Sequence, residues 1–178
     1  MVRYHDQEWG KPVKSDRKIF EFLILESAQA GLSWLTILNK RESYRQAFAG
    51  FEPRLVAQFD AGKIVKLTKN ANIVRNRLKI EAAINNAGRF LEVQKEFGTF
   101  SKYMWSFVKG QPLDGKCRSS EDLPAITKES IALAKDLKKR GFKFLGPTVI
   151  YAHMQAVGMI NDHIQSCFRY KELKNSVK

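Results

Sequence analysis

The chain has 178 residues, 44% of them hydrophobic, with 31 Lys+Arg against 18 Asp+Glu and a formal net charge of +13. That length supports one domain, or two small lobes over a shared core; with no long apolar run and no charged-apolar-small leader at Met1, a soluble, unexported, cytoplasmic protein is expected. Two cysteines, Cys117 and Cys167, exclude a disulfide framework and fit a reducing compartment.

The elements read in chain order are nearly all helical. Ser15 is a good N-cap for a mostly apolar helix from Asp16 to Ala30, carrying Ile19, Phe20, Phe22, Leu23 and Leu25. Inside it lies one carboxylate that matters, Glu26. A buried acid without a partner is costly, so the alternative puts Glu26 on the exposed side of an amphipathic helix. Gly31-Leu32-Ser33 breaks this helix and caps the next, with Trp34 at its start and Leu35, Ile37, Leu38, Tyr44, Ala47 and Phe48 directed inward. A buried acid, a sharp turn and a large aromatic can together wall a pocket for a flat polar ligand.

Pro53 suits the first turn of a short helix, and Asp60 caps another reaching Leu67. Ile73 to Phe97 reads as one long helix or two shorter ones, with Leu78 among its apolar residues. Ser101 to Val108 forms an aromatic helix, and Gly110 to Pro124 reads as a loop or lobe junction. No strand pair is expected. Thr127 caps a helix through Ile131, Leu133, Ala134 and Leu137 that stops at Gly141, and Pro147 opens another, Thr148 to Val157.

The segment from about 128 to 157 is therefore a helix, a six-residue glycine-bounded turn, and a helix. Gly141 and Gly146 let the backbone approach a phosphate, and the second helix offers free N–H groups there. With Lys138-Lys139-Arg140 and Lys143 alongside, this reads as a helix-hairpin-helix that grips a nucleic-acid backbone without reading bases. An ordinary helical corner is the alternative. The net charge points the same way, toward nucleic acid first and an anionic membrane second, unless the protein is merely basic. His163 and Cys167 are spaced i, i+4 and share a face on a helix; His5 can supply a third metal ligand. A packed histidine and a buried free cysteine are the commoner outcome, and His153, mid-helix, reads as structural.

Four separated motifs then resemble one family, 3-methyladenine DNA glycosylase I: Tyr4-His5-Asp6-Gln7-Glu8-Trp9-Gly10 with Pro12, Glu26-Ser27-Ala28-Gln29-Ala30-Gly31-Leu32-Ser33-Trp34, Lys139-Arg140-Gly141-Phe142-Lys143-Phe144-Leu145-Gly146, and Asn161-Asp162-His163. The resemblance runs from about Tyr4 to Cys167. It implies an all-α, two-lobed helix-hairpin-helix glycosylase fold in a single catalytic unit spanning 1–178. The activity it implies is base-excision repair of alkylated double-stranded DNA: hydrolysis of the N-glycosidic bond of 3-methyladenine after base flipping, without lyase action and by a monomer.

The same resemblance implies roles residue by residue. Glu26 is catalytic, and Tyr4, Trp9 and Trp34 form the base pocket. Gly31 and Leu32 enter the duplex, and Gly141, Lys143 and Gly146 hold its backbone. His5, His163 and Cys167 are zinc ligands. The family's fourth ligand, a cysteine, and a further pocket tryptophan precede the Tyr-His pair, and no residue of this sequence matches them. Cys117 or water is left to stand in, so zinc is expected on three protein ligands. The rival readings are a non-catalytic DNA-binding module or an inactive relative.

Overall fold

The computed structural model describes residues 1–175 and is almost entirely helical. In order, α1 (Val2–Gln7), α2 (Asp16–Gln29) and α3 (Trp34–Ala47) lead through a 3-10 turn (Ala49–Phe51) into α4 (Pro53–Val56), α5 (Ala61–Lys69), α6 (Arg77–Phe97) and α7 (Phe100–Ser106). Then come β1 (Leu113–Asp114), a second 3-10 turn (Ser120–Asp122), α8 (Lys128–Lys139), α9 (Pro147–Ala156), β2 (Ile160–Asn161) and α10 (Phe168–Asn175).

Local chemistry explains most boundaries. Side-chain oxygens of Ser33, Asp60, Asn76, Thr99 and Thr127 each accept the N–H three residues on, and so satisfy a free donor at a helix start. Ser15 stands at the N-cap of α2 but makes no such bond. Its neighbour Asp16 turns outward to another helix: its carboxylate accepts the backbone N–H groups of Phe100 (2.8 Å) and Ser101 (2.8 Å) and the Gln94 amide (2.6 Å). One acid at the start of α2 thus caps α7 and ties down the end of α6.

The core is one continuous cluster with α2 at its centre. Every residue from Ile19 to Ala28 is buried, as expected of a helix enclosed on all sides. α3, α6, α7 and α9 all pack on it. Two groups of helices meet there: α4, α5 and α7 packed on α6, with α3 joined through the first 3-10 turn, and α8, α9 and the strand pair with α10.

Several expectations are corrected. A strand pair exists: β1 and β2 align in parallel, Leu113 with Ile160 and Asp114 with Asn161, so the stretch read as a free junction is tied to the chain after α9. Two-residue strands are too short to carry a periodic pattern. The stretch from 161 to 167 is the end of β2 followed by a loop with turns, not a helix. α6 begins at Arg77, because Asn76 supplies the cap that Ile73 cannot. Leu35, read as inward-facing, is exposed by 47%, and Leu78 and Ile131, named among the apolar residues of their helices, are exposed too. No periodicity announces α1.

Two outcomes follow. Asp16→Ala removes the acceptor for two α7 N–H groups, and a loss of about 2 kcal/mol, or roughly 4–8 °C in Tm for a chain this size, is expected in thermal unfolding. His153 is fully buried, neither ring nitrogen has a hydrogen-bond partner among the described residues, and burial pushes its pKa down from 6.5 to about 3. The unfolded chain therefore binds this proton first, so stability is unaffected above pH 6.5 and falls as pH drops toward 3. Urea unfolding at pH 7 and pH 5 should show a smaller acid loss for His153→Leu than for the parent.

Candidate active site

The burial of α2 encloses two carboxylates with opposite surroundings. Glu21 accepts Arg41 Nε at 2.7 Å and Arg45 Nη2 at 3.0 Å, with Lys18 Nζ at 3.1 Å. Arg41 also grips Glu8 through both terminal nitrogens, at 2.9 and 2.7 Å. Glu21 is thus a buried charge surrounded by partners. Glu26, five residues on and 5% exposed, has neither a hydrogen bond nor an ion pair among the described residues, and burial pushes its pKa up to about 8. A carboxyl left this way is a marker of a site rather than of a fold.

What Glu26 faces is a cleft of about 340 Å³, lined by Tyr4, His5, Trp9, Gln29, Trp34, Ala152 and Gln155 among others. That volume is in the range of small-molecule pockets. The Tyr4 and Trp34 rings lie 5.5 Å apart at 55°. Burial, reinforced by the Glu26 carboxyl, pushes the Tyr4 hydroxyl well above its ordinary range, so it stays a donor. The Trp34 indole nitrogen is buried without a well-aligned partner, though near enough to the Tyr4 hydroxyl to act on it. α1 brings Tyr4 and His5 here, α2 brings Glu26, α3 opens on Trp34, and α9 supplies Ala152 and Gln155. All three aromatics named from the sequence meet Glu26 in one cavity.

Gly31 and Leu32 form the exposed turn at the end of α2, Gly31 with φ of +83° and Leu32 with 39% exposure. Lys79 of α6, which no pattern flagged, holds this turn: its Nζ donates to the carbonyls of Ala28 (2.9 Å) and Ala30 (2.6 Å). A cation there satisfies free carbonyls at the negative end of the helix dipole. The Gly141–Gly146 turn is also held from α6. Asn86 donates to the Lys143 carbonyl (2.9 Å) and accepts its N–H (2.8 Å), while Asn85 donates to the Gly141 carbonyl (2.8 Å). Lys79 and Asn86 are seven residues apart, on one face of one helix, so both turns are anchored to a single rigid rod. Two asparagines amid the apolar residues of α6 were the signal available in the sequence.

His5, His163 and Cys167 do come together, with ligand atoms all within 4.8 Å of one another. The i, i+4 argument that paired His163 with Cys167 is wrong, because the segment is a loop; the turn at 165–166 brings them near instead. His5 Nε2 lies 3.7 Å from Cys167 Sγ, and its Nδ1 is 2.7 Å from the Asp6 carboxylate. His163 Nδ1 is 3.1 Å from Asn161 Oδ1, and its buried Nε2 has no well-aligned hydrogen-bond partner among the described residues, though the His5 backbone lies near enough to act on the ring. The His5 ring is held at Nδ1 by Asp6 with Nε2 toward Cys167, which is how metal-binding histidines are held. Burial, chiefly, pushes the His163 pKa down to about 4, keeping it a neutral base. The donor set suits zinc. Cys117 does not join it: its thiol donates instead to the Gly115 carbonyl and the Asp162 carboxylate. Trp9 packs edge-on against His163 at 4.5 Å and lines the cleft as well, so cluster and cleft share a wall. A Cβ on Gly10 would lie 2.7 Å from the His163 ring, which only glycine avoids.

Comparison with known proteins agrees with this geometry. The family described as methyladenine glycosylase matches residues 1–170. The chain is 44% identical to DNA-3-methyladenine glycosylase 1 of Escherichia coli (strain K12) over 169 residues, covering 95% of this chain and 90% of that protein. It is 45% identical over 166 residues to the DNA-3-methyladenine glycosylase of Haemophilus influenzae, covering 93% and 90%. A solved structure of 3-methyladenine DNA glycosylase I from Staphylococcus aureus, a study of 3-methyladenine recognition, superposes with a TM-score of 0.92 at 42% identity, covering 94% of this chain and 89% of that one. The chain belongs to the methyladenine glycosylase family.

Proposed function

We propose that this chain is a monofunctional DNA glycosylase that takes 3-methyladenine out of alkylated double-stranded DNA and hydrolyses its N-glycosidic bond. The observation that carries the reading is the buried, unpartnered Glu26 carboxyl facing a cleft between aromatic rings. Methylation at N3 makes the adenine a cation and a good leaving group. The empty pocket favours a neutral Glu26; a bound cation favours its carboxylate, so charge is complemented only when the lesion is present. The faces of Tyr4, Trp9 and Trp34 attract a flat cation more than a neutral base, and Glu26 accepts from its amino edge. The base reaches this pocket only after leaving the stack.

The Gly31–Leu32 turn is the element suited to fill the gap a flipped base leaves, since an apolar side chain at an exposed apex can wedge between base steps. The Gly141–Gly146 turn, with Lys143 exposed and the start of α9 beside it, suits a helix-hairpin-helix contact to phosphates. Zinc on His5, His163 and Cys167 would staple α1 to the loop before α10, supporting Tyr4 and Trp9 from behind.

Release of free 3-methyladenine from methylated duplex DNA tests the activity. Glu26→Gln should cut release by about 10- to 100-fold while DNA binding persists; indifference to the change would leave a binding module. The buried carboxyl retains its proton between pH 4.5 and about 8 in the native state but not in the unfolded one, so it lowers stability as pH rises through that range. Glu26→Gln should accordingly melt higher than the parent at pH 8, and the parent's kcat/KM should rise with pH toward 8 along a limb the variant lacks. For the metal, elemental analysis of protein made in zinc-supplemented medium should find about one zinc per chain, lost in His163→Ala; a metal-free parent under those conditions ends the zinc reading.

A further inference from the structure

Beside Glu26 the cleft has a second side chain whose polarity is set from behind. Gln155 of α9 lines the cavity, and its amide Nε2 donates to the Asp162 carboxylate at 2.7 Å. Asp162 is 2% exposed and also receives the Tyr151 hydroxyl and the Cys117 thiol, so three donors converge on one buried acceptor. Burial and Asp162 together push the Tyr151 hydroxyl well above its ordinary range, which keeps it a donor. Gly115 of the loop after β1 completes the enclosure: a Cβ there would lie 2.0 Å from Asp162 Oδ1. A carboxylate only accepts, so it permits one orientation of the facing amide. The Gln155 NH2 points at Asp162, and its Oε1, which accepts no hydrogen bond from the described residues, is the end left for the cleft.

We infer that Asp162 is a positioning residue and Gln155 a specificity-determining one, together presenting a second hydrogen-bond acceptor to the excised base and so selecting an amino-bearing purine over an oxo-bearing one. The inference rests on the activity proposed above. The cleft then offers two acceptors, the Glu26 carboxylate and Gln155 Oε1. An N3-methylated adenine carries a 6-amino group that donates to such atoms. An N3-methylated guanine carries a 6-carbonyl, which meets an acceptor with an acceptor and leaves both unpaired. Discrimination of this kind depends on the amide being unable to turn over, which is what Asp162, Tyr151, Cys117 and Gly115 provide.

The test is the ratio of 3-methyladenine to 3-methylguanine released from DNA carrying both lesions. The parent is compared with Asp162→Asn, which can donate as well as accept and so frees the Gln155 amide to invert, and with Gln155→Met, which keeps length but removes both polar ends. The ratio should fall by about tenfold in each, with thermal melting used to choose conditions where all three are folded. Both rates falling together at constant ratio would overturn the inference and leave Asp162 a structural residue. No base release by the parent overturns the activity itself, and with it this selectivity; parental release with an unchanged ratio overturns the selectivity alone.

Discussion

The structure is organised around a carboxyl that has been buried and left without a partner. Removing an acid from water is unfavourable unless it is paired or protonated. α2 carries both solutions a few residues apart: Glu21 within reach of Arg41, Arg45 and Lys18, and Glu26 with no ion pair among the described residues. The rest of the helix must supply the apolar burial that offsets this cost, and it does so from Ile19 to Ala28 without an exposed position. The instability at Glu26 is local and directed. A cation in the cleft would relieve it, as the proposed binding of a charged base requires.

Around that centre, the surfaces suited to DNA are held by α6. Lys79 closes the carbonyl end of α2, and Asn85 and Asn86 fix the backbone of the turn between α8 and α9. Loops bearing function are normally the mobile parts of a domain. Here the two turns are tied to one helix by its Lys79, Asn85 and Asn86 side chains, so their separation is set by helix rise rather than by loop flexibility. The His5, His163 and Cys167 cluster does the same for α1, with Trp9 packed between it and the cleft.

Much of this was legible in the chain. The long helices, their caps at Ser33, Asp60 and Thr127, and the glycine-bounded turn from 141 to 146 followed from local rules, because capping and φ preferences act within a few residues. The motifs naming Tyr4, Trp9, Glu26 and Trp34 identified residues that the fold does bring to one cavity. Where the reading failed, contacts were long-range or elements too short for a period. β1 and β2 have two residues each; Asp16 caps a helix more than eighty residues away; His163 and Cys167 meet through a turn, not through helical spacing.

The sequence by itself determined the helical class and the charge that suits a polyanion, since these depend on composition and on neighbours a few residues apart; Tyr4 and Trp9 were named through the family resemblance. The tertiary structure decided their state. Glu26 was equally a surface acid until α3, α6, α7 and α9 closed over α2. Gln155 was one amide among several until Asp162, seven residues on across the turn after α9, oriented it. Burial and orientation are properties of packing between distant segments, and no local pattern encodes them.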